Sequence, residues 1–129
     1  MALRKKPSYG LKEAVLQVTG GLQSRLASKP SVDEMEQQFV DQVSERKIHI
    51  TRRSNTLLTF NGHPVEKVLA GVLLENRLMV EFRRLPRLTS VDLYHFAAFL
   101  RNSCVPEGLL VNISASGALD WCYMNVEVN

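Results

Sequence analysis

The chain has 129 residues, the size of one globular domain, and its 45% hydrophobic and 22% charged residues exclude a globally disordered protein. No apolar run reaches the roughly 18 residues of a membrane span, and Arg4, Lys5 and Lys6 lead into a polar segment where a signal peptide would have its apolar core. These features predict a cytoplasmic protein, and the formal net charge of +3 allows a polyanionic partner without requiring one.

We expect a single domain over residues 1–129, with residues 1–9 as a flexible N-terminal tail. The first predicted helix covers residues 10–26, and Gly20 and Gly21 should weaken its middle. Its apolar positions at helical spacing are Leu11, Ala14, Val15, Val18, Leu22 and Leu26.

A second helix is predicted to begin after Ser31. Ser31 can act as its N-cap, and Glu34 stands at the capping-box position. Asp33, Glu34 and Glu36 fall in the first turn, where acidic side chains are favoured by the helix dipole. The apolar stripe of this helix consists of Met35, Phe39, Val40 and Val43.

Beyond the second helix the apolar period changes to two, which is typical of strands. Residues 56–60 are followed by Asn61-Gly62, the strongest hairpin signal in the chain. Residues 65–74 and 77–82 are predicted as the next two strands.

The last third of the chain predicts one helix and two strands. Thr89 precedes a helix over residues 90–102, and its many apolar side chains predict that it is largely buried. Residues 108–113 and 120–128 then close the chain as strands. The predicted order is α-α-β-β-β-α-β-β, an α/β (α+β) fold in which a mixed central sheet of about five strands is flanked by helices.

A possible metal motif lies at the end of the predicted hairpin over residues 72–84. Its turn is Glu75-Asn76, and its second strand ends in Glu81-Phe82-Arg83. A carboxylate and a cation two residues apart project from one face of a strand. A Glu-x-Lys in this place, with an Asp from the neighbouring strand, is how a large group of nucleases holds a metal ion.

Nearly the whole chain resembles the GxxExxY family, small proteins with the PD-(D/E)XK nuclease fold. The resemblance covers residues 10–128 and is carried by FNGHPVEKVLAGVLLENRLMVEFRR, LTSVDLYHFAAFLR and GLLVNISASG. It implies a restriction-endonuclease-like core over the whole domain.

The resemblance also implies which positions should form the active site. The metal-binding Asp of the family falls on Gly71, the Glu is kept as Glu81, and the Lys falls on Arg83. The helix position that usually carries Gln is His95.

The motif that gives the family its name is replaced throughout. Its Gly, Glu and Tyr fall on Lys29, Val32 and Met35.

These replacements predict that metal-dependent cleavage is lost. Mg²⁺ takes a near-octahedral shell of oxygen ligands, and Glu81 is the one carboxylate kept at the expected site. Arg83 stays protonated, whereas a Lys can change its protonation state. We therefore expect no catalytic residue, no metal site and no cofactor, and we interpret Glu81, Arg83 and His95 as a vestigial site.

Two alternative interpretations retain a bound metal ion. A divergent nuclease would recruit another acid, such as Glu13, and would then use Mg²⁺ or Mn²⁺. His95 could bind a softer metal together with Glu81, although a His on a buried helix is more often a core or pocket residue.

Five arginines are candidates for phosphate contacts in a nucleic-acid-binding protein that does not cleave. Exposed cations are more often only a solvated surface, and Arg83 can instead pair with Glu81. The candidate residues are Arg52, Arg53, Arg83, Arg84 and Arg87.

The C-terminal segment is the candidate surface for self-assembly. Residues 121–128, which begin with Trp121 and end with Val128, are β-prone, and a strand at a sheet edge can add a neighbour's strand. A homo-oligomer is therefore expected. Cys104 and Cys122 are too isolated for a zinc site or a disulfide framework, and we expect two reduced, partly buried thiols.

Overall fold

The computed structural model of the chain describes residues 8–22, 30–52, 55–60, 63–68 and 71–128. Three helices and seven strands make up this part of the chain. In chain order they are α1 (Ser8–Leu22), α2 (Val32–Ser44), β1 (Ile50–Arg52), β2 (Asn55–Phe60), β3 (His63–Val68), β4 (Gly71–Leu74), β5 (Leu78–Arg83), α3 (Ser90–Asn102), β6 (Glu107–Ile113) and β7 (Leu119–Asn125).

Five of these strands form a mixed sheet in the order β1-β4-β5-β6-β7. β5 and β6 are parallel, and the other neighbours are antiparallel. α3 is the crossover between the two parallel strands, as such a pairing requires. The predicted fold class, a mixed five-stranded sheet flanked by helices, is confirmed.

β2 and β3 form a separate two-stranded ribbon. Their register pairs Phe60 with His63, so the predicted hairpin at Asn61-Gly62 is consistent with the strand pairing, while these two residues lie outside the described ranges. The prediction of one strand over residues 65–74 is wrong, because β3 pairs with β2 whereas β4 pairs with β1 and β5. Leu69 and Ala70, the two residues between β3 and β4, are not turn-forming residue types, so the sequence does not indicate this division.

The two faces of the sheet bury different apolar clusters. α1 and α2 cover one face, where the edge-to-face rings of Phe39 and Phe82, 5.3 Å apart, join α2 to β5. α3 covers the other face, where it packs on Met79 and Leu110. The cluster under α1 and α2 is formed by Val15, Val18, Leu22, Met35, Phe39, Val43, Val72, Leu74, Leu78, Val80, Phe82, Leu109, Val111 and Ile113.

Capping boxes fix the starts of α2 and α3. The Ser31 hydroxyl accepts from the Glu34 amide, and the Glu34 carboxylate accepts from the Ser31 amide, as the sequence predicts. Thr89 and Asp92 form the same box at α3. α1 continues through both of its glycines to Leu22, and residues 23–26 of the predicted first helix lie outside the described part.

The prediction that α3 is largely buried is wrong. Phe96 and Leu100 are buried, but Val91 is 59% exposed and Tyr94 is 70% exposed. Among the described elements α3 is the one helix packed on this face of the sheet, and its outer side meets solvent. Composition indicates how many apolar side chains a helix has, whereas burial depends on how many layers cover it.

A polar cluster joins the starts of β5 and β6 to the end of β7. The buried Glu107 carboxylate accepts two hydrogen bonds from Arg77, at 2.9 and 2.6 Å, and one from the Tyr123 hydroxyl. Burial, and then the hydrogen bond to the Glu107 carboxylate, raise the pKa of Tyr123 to about 12. The Lys12 ammonium lies 4.2 Å from the centre of the Tyr123 ring and adds a cation–π contact from α1.

No helix within the described ranges is long and apolar enough to cross a bilayer. The cytoplasmic location stays a prediction. Cys104 and Cys122 are free thiols, as predicted. Cys122 is half-buried as expected, but Cys104 is exposed, since it lies in the turn that follows α3.

Candidate functional site

The β4–β5 hairpin positions the candidate site. Glu75 and Asn76 both have positive φ values, 53° and 56°, as in the two-residue turns that match the twist of a hairpin. The Arg77 amide donates to the Leu74 carbonyl at 3.0 Å and closes the turn. The Glu75 carboxylate accepts from the His49 amide at 2.7 Å, so this acid fastens the turn to the segment before β1.

Gly71 and Glu81 are direct cross-strand partners. Side chains alternate along β5, so Glu81 and Arg83 lie on the same face as Met79, which is the face that α3 covers. The two positions where the sequence predicts a metal-binding Asp and Glu are therefore adjacent.

The backbone at Gly71 leaves no room for a side chain. A Cβ atom built there would collide with the Val80 carbonyl oxygen and would lie 3.0 Å from the Glu81 Cα. Both neighbours are backbone atoms, which cannot rotate away as a side chain can. A carboxylate at this position therefore requires β4 to move away from β5.

Glu81 and Arg83 form an ion pair with each other. Nε and Nη2 of Arg83 donate to Oε2 of Glu81 at 3.1 and 2.9 Å. The two side chains are 12% and 29% exposed, so this pair is shielded from water more than a surface pair. The mutual pairing that the sequence offers as an alternative for Arg83 is confirmed.

A second carboxylate lies near this pair. The Thr89 amide and hydroxyl both donate to Oδ2 of Asp92 at 2.9 Å. These hydrogen bonds are the main cause that lowers the pKa of Asp92, and the nearby charges of Arg83 and His95 lower it further. Arg83 thus lies within electrostatic range of Glu81 and Asp92.

Comparison with known proteins identifies the family. The family model of the PD-(D/E)XK nuclease superfamily matches residues 31–121. The chain belongs to the PD-(D/E)XK nuclease superfamily.

Among solved structures, one described as the crystal structure of SSO0001 is 15% identical, with a TM-score of 0.49. The alignment covers 70% of this chain and 48% of that one, so the chain spans about half the length of the matched structure. The comparison with curated proteins gave no match.

The residues of this superfamily member do not fit a divalent metal ion. Gly71 has no ligand atom, and the Glu81 carboxylate already accepts two hydrogen bonds from a cation. Across the part of the chain that the structure describes, no three His, Cys, Asp or Glu side chains come together as a metal-binding group.

His95 lies on the surface of α3. The prediction that it is a core or pocket residue is wrong, because His95 is exposed to solvent. Its ring is 6.0 Å from the ring of Tyr94, which is also exposed. No hydrogen bond or ion pair between His95 and the Glu81–Arg83 pair is present among the described residues.

The α2 positions of the family motif lie away from Glu81. Val32 and Met35 pack into the apolar cluster on the opposite face of the sheet, and Lys29 lies outside the described residues. Glu13, the acid proposed for a divergent nuclease, is an exposed residue of α1 in that same layer. It does not supply the missing ligand.

Sequence reasoning missed the burial of Glu36. This carboxylate is 1% exposed, which is incompatible with a role as a solvated first-turn acid. A carboxylate buried to this degree requires a partner, and Glu36 has one. The sequence does indicate this burial, because Val32, Glu36 and Val40 recur every four residues on one side of α2.

Asn112 is a second residue that sequence reasoning missed. It is 1% exposed; its side-chain oxygen accepts from the Leu85 amide at 2.7 Å and its side-chain nitrogen donates to the Leu85 carbonyl at 3.0 Å. These bonds fix the segment between Arg83 and α3. Asn112 thus anchors Leu85, two residues after Arg83, to β6.

The five candidate arginines occupy different environments. Arg83 is paired, whereas Arg84 and Arg87 are exposed in the segment before α3. Arg52 ends β1, and Arg53 lies outside the described residues. Among the described residues, Arg83, Arg84 and Arg87 thus lie close together in the chain, and Arg52 lies on the edge strand β1.

We expect Gly71→Ala to lower the free energy of unfolding by about 2 to 3 kcal/mol, because the added Cβ forces β4 and β5 apart. Gly20→Ala is the matched control, since no described atom lies within 4 Å of a Cβ there. Alanine should raise helix stability at that position by about 0.5 to 1 kcal/mol. Urea unfolding followed by circular dichroism measures the change in free energy of unfolding for both variants. Equal changes in the two variants would contradict the close approach at Gly71.

Proposed function

We propose that the chain is a catalytically inactive member of the superfamily, related to the GxxExxY family, that acts as a binding or self-assembling module. The observation that carries the proposal is the Arg83–Glu81 ion pair at 2.9 Å beside a glycine that has no room for a second carboxylate. The degraded active site is thus an internally neutralised pair.

The chemistry of Arg83 supports this proposal. Its guanidinium carries a permanent charge, so it balances the Glu81 carboxylate at every physiological pH without a metal ion. A metal would have to displace two charge-assisted hydrogen bonds and would gain one protein ligand in return. The same pair engages the carboxylate that would otherwise be available to activate water. The absence of a cofactor and the cytoplasmic location stay predictions.

We expect the purified chain not to cleave single-stranded DNA, duplex DNA or RNA in Mg²⁺ or Mn²⁺, because neither ion gains an adequate ligand set. Gel electrophoresis of end-labelled substrates measures this. Glu81→Gln is the control: cleavage that persists in this variant comes from a contaminant. Metal-dependent cleavage by the wild type that Glu81→Gln abolishes would refute the proposal and favour a divergent nuclease.

Nucleic-acid binding without cleavage is the second candidate function. The observation that favours it is the exposure of Arg84 and Arg87 before α3, together with Tyr94, which is 70% exposed on that helix. Arginines can contact phosphates, and an exposed aromatic ring can stack on an unpaired base.

If this second function holds, fluorescence anisotropy with a labelled single-stranded oligonucleotide should show binding that weakens steeply with salt. Arg84→Ala/Arg87→Ala should reduce the log–log salt slope by roughly 1.4, about 0.7 for each lost phosphate contact to a single strand. Arg46→Ala, which removes an exposed cation at the end of α2, is the control and should leave the slope unchanged. Binding that is absent or insensitive to salt would exclude this function.

A further inference from the structure

β7 forms a long edge of the central sheet. The strand order leaves β1 at one edge, with three residues, and β7 at the other, with seven. Among the strands of the described ranges, none pairs with the outer side of β7. An edge of this length presents a row of backbone donors and acceptors to another strand.

This edge carries one charged side chain, Asp120, but lacks the proline, lysine and bulge by which proteins usually prevent strand addition. Leu119–Asn125 contains no proline and no lysine. Its register with β6 is unbroken over all seven residues, so no bulge twists the edge away. Trp121 is 42% exposed on it. These properties favour pairing with another strand.

The hydrogen bonds at the two ends of the β6–β7 pair show which backbone groups face outward. The Val126 amide donates to the Pro106 carbonyl at 2.9 Å, and the Ser114 amide donates to the Ala118 carbonyl at 3.0 Å. Even-numbered residues of β7 therefore bond to β6, and odd-numbered residues direct their amide and carbonyl groups outward. The outward-facing residues are Leu119, Trp121, Tyr123 and Asn125.

We propose that two copies of the chain pair through β7, antiparallel, about a twofold axis at Cys122. The two five-stranded sheets then form one continuous sheet. The proposal rests on the self-assembly part of the proposed function and names its surface. A strand can pair with its own copy in this way because a twofold axis perpendicular to the sheet makes the interface self-complementary.

The position of the axis follows from the bounds of β7. Cys122 is the central residue of Leu119–Asn125, so an axis there pairs the whole strand with its copy. All outward-facing groups are then used, in about eight backbone hydrogen bonds. Any other axis leaves part of the edge unpaired.

This register also places compatible side chains opposite each other across the interface. Trp121 lies opposite the partner's Tyr123, which gives two aromatic cross-strand pairs. Asp120 lies opposite the partner's Met124, so no like charges face each other. Cys122 lies opposite the partner's Cys122 at a pair without backbone hydrogen bonds, where Cα atoms are about 4.5 Å apart. A disulfide spans that distance.

Cysteine crosslinking tests this geometry. Cys104→Ser leaves Cys122 as the sole thiol, and Cys122→Ser leaves Cys104 as the sole thiol. After mild oxidation with copper–phenanthroline, we expect a covalent dimer for Cys104→Ser and none for Cys122→Ser. Dimers at equal yield in both variants, or in Cys122→Ser alone, would overturn the proposed register.

Light scattering tests the assembly itself. The wild-type chain should have twice its monomer mass of 14.6 kDa. Trp121→Pro removes an outward amide donor and leaves the bonds to β6 intact, so it should give a monomer, whereas Trp121→Tyr should stay a dimer. If the proline variant does not fold, Trp121→Lys is the second disruptive variant and should also give a monomer. A wild-type monomer at all concentrations, or a dimer in both disruptive variants, would overturn the proposal without bearing on the cleavage experiment.

Discussion

β5 is covered by α1 and α2 on one face and by α3 on the other. The burial of this strand determines where the other elements pack. Leu78, Val80 and Phe82 pack against α1 and α2, and Met79 packs under α3. Both neighbouring strands, β4 and β6, pair with it along their length. A strand with two covered faces has little space for charge, so Glu81 and Arg83 are found where α3 leaves the sheet partly open.

In the proposed function, the Arg83–Glu81 pair and the glycine beside it replace a metal site. A carboxylate near the middle of a sheet needs a compensating positive charge, and in this chain the charge comes from the same strand. β4 approaches β5 so closely at Gly71 that a second acid does not fit there. The PD-(D/E)XK fold is then kept by apolar packing and by the Asn112 bonds to Leu85, none of which depends on catalysis.

The sequence predicts those parts of the structure that local chemistry determines. Hydroxyl and carboxylate pairs at Ser31 and Thr89 specify where two helices begin, and Glu75-Asn76 specifies a turn. Tertiary context decides the rest. The exposed side of α3 and the division of residues 65–74 between two sheets depend on which elements become neighbours, and a single sequence does not encode that in any short pattern.

Diffraction from crystals of the full chain soaked in MnCl₂ tests the central claim most directly, because anomalous scattering locates Mn²⁺ independently of any assay. An intact pair predicts no anomalous peak within about 2.5 Å of the Glu81 carboxylate. The Arg83 Nη2 atom should remain 2.9 Å from Glu81 Oε2. A manganese ion bound to Glu81, with the Arg83 side chain turned away, would contradict the account.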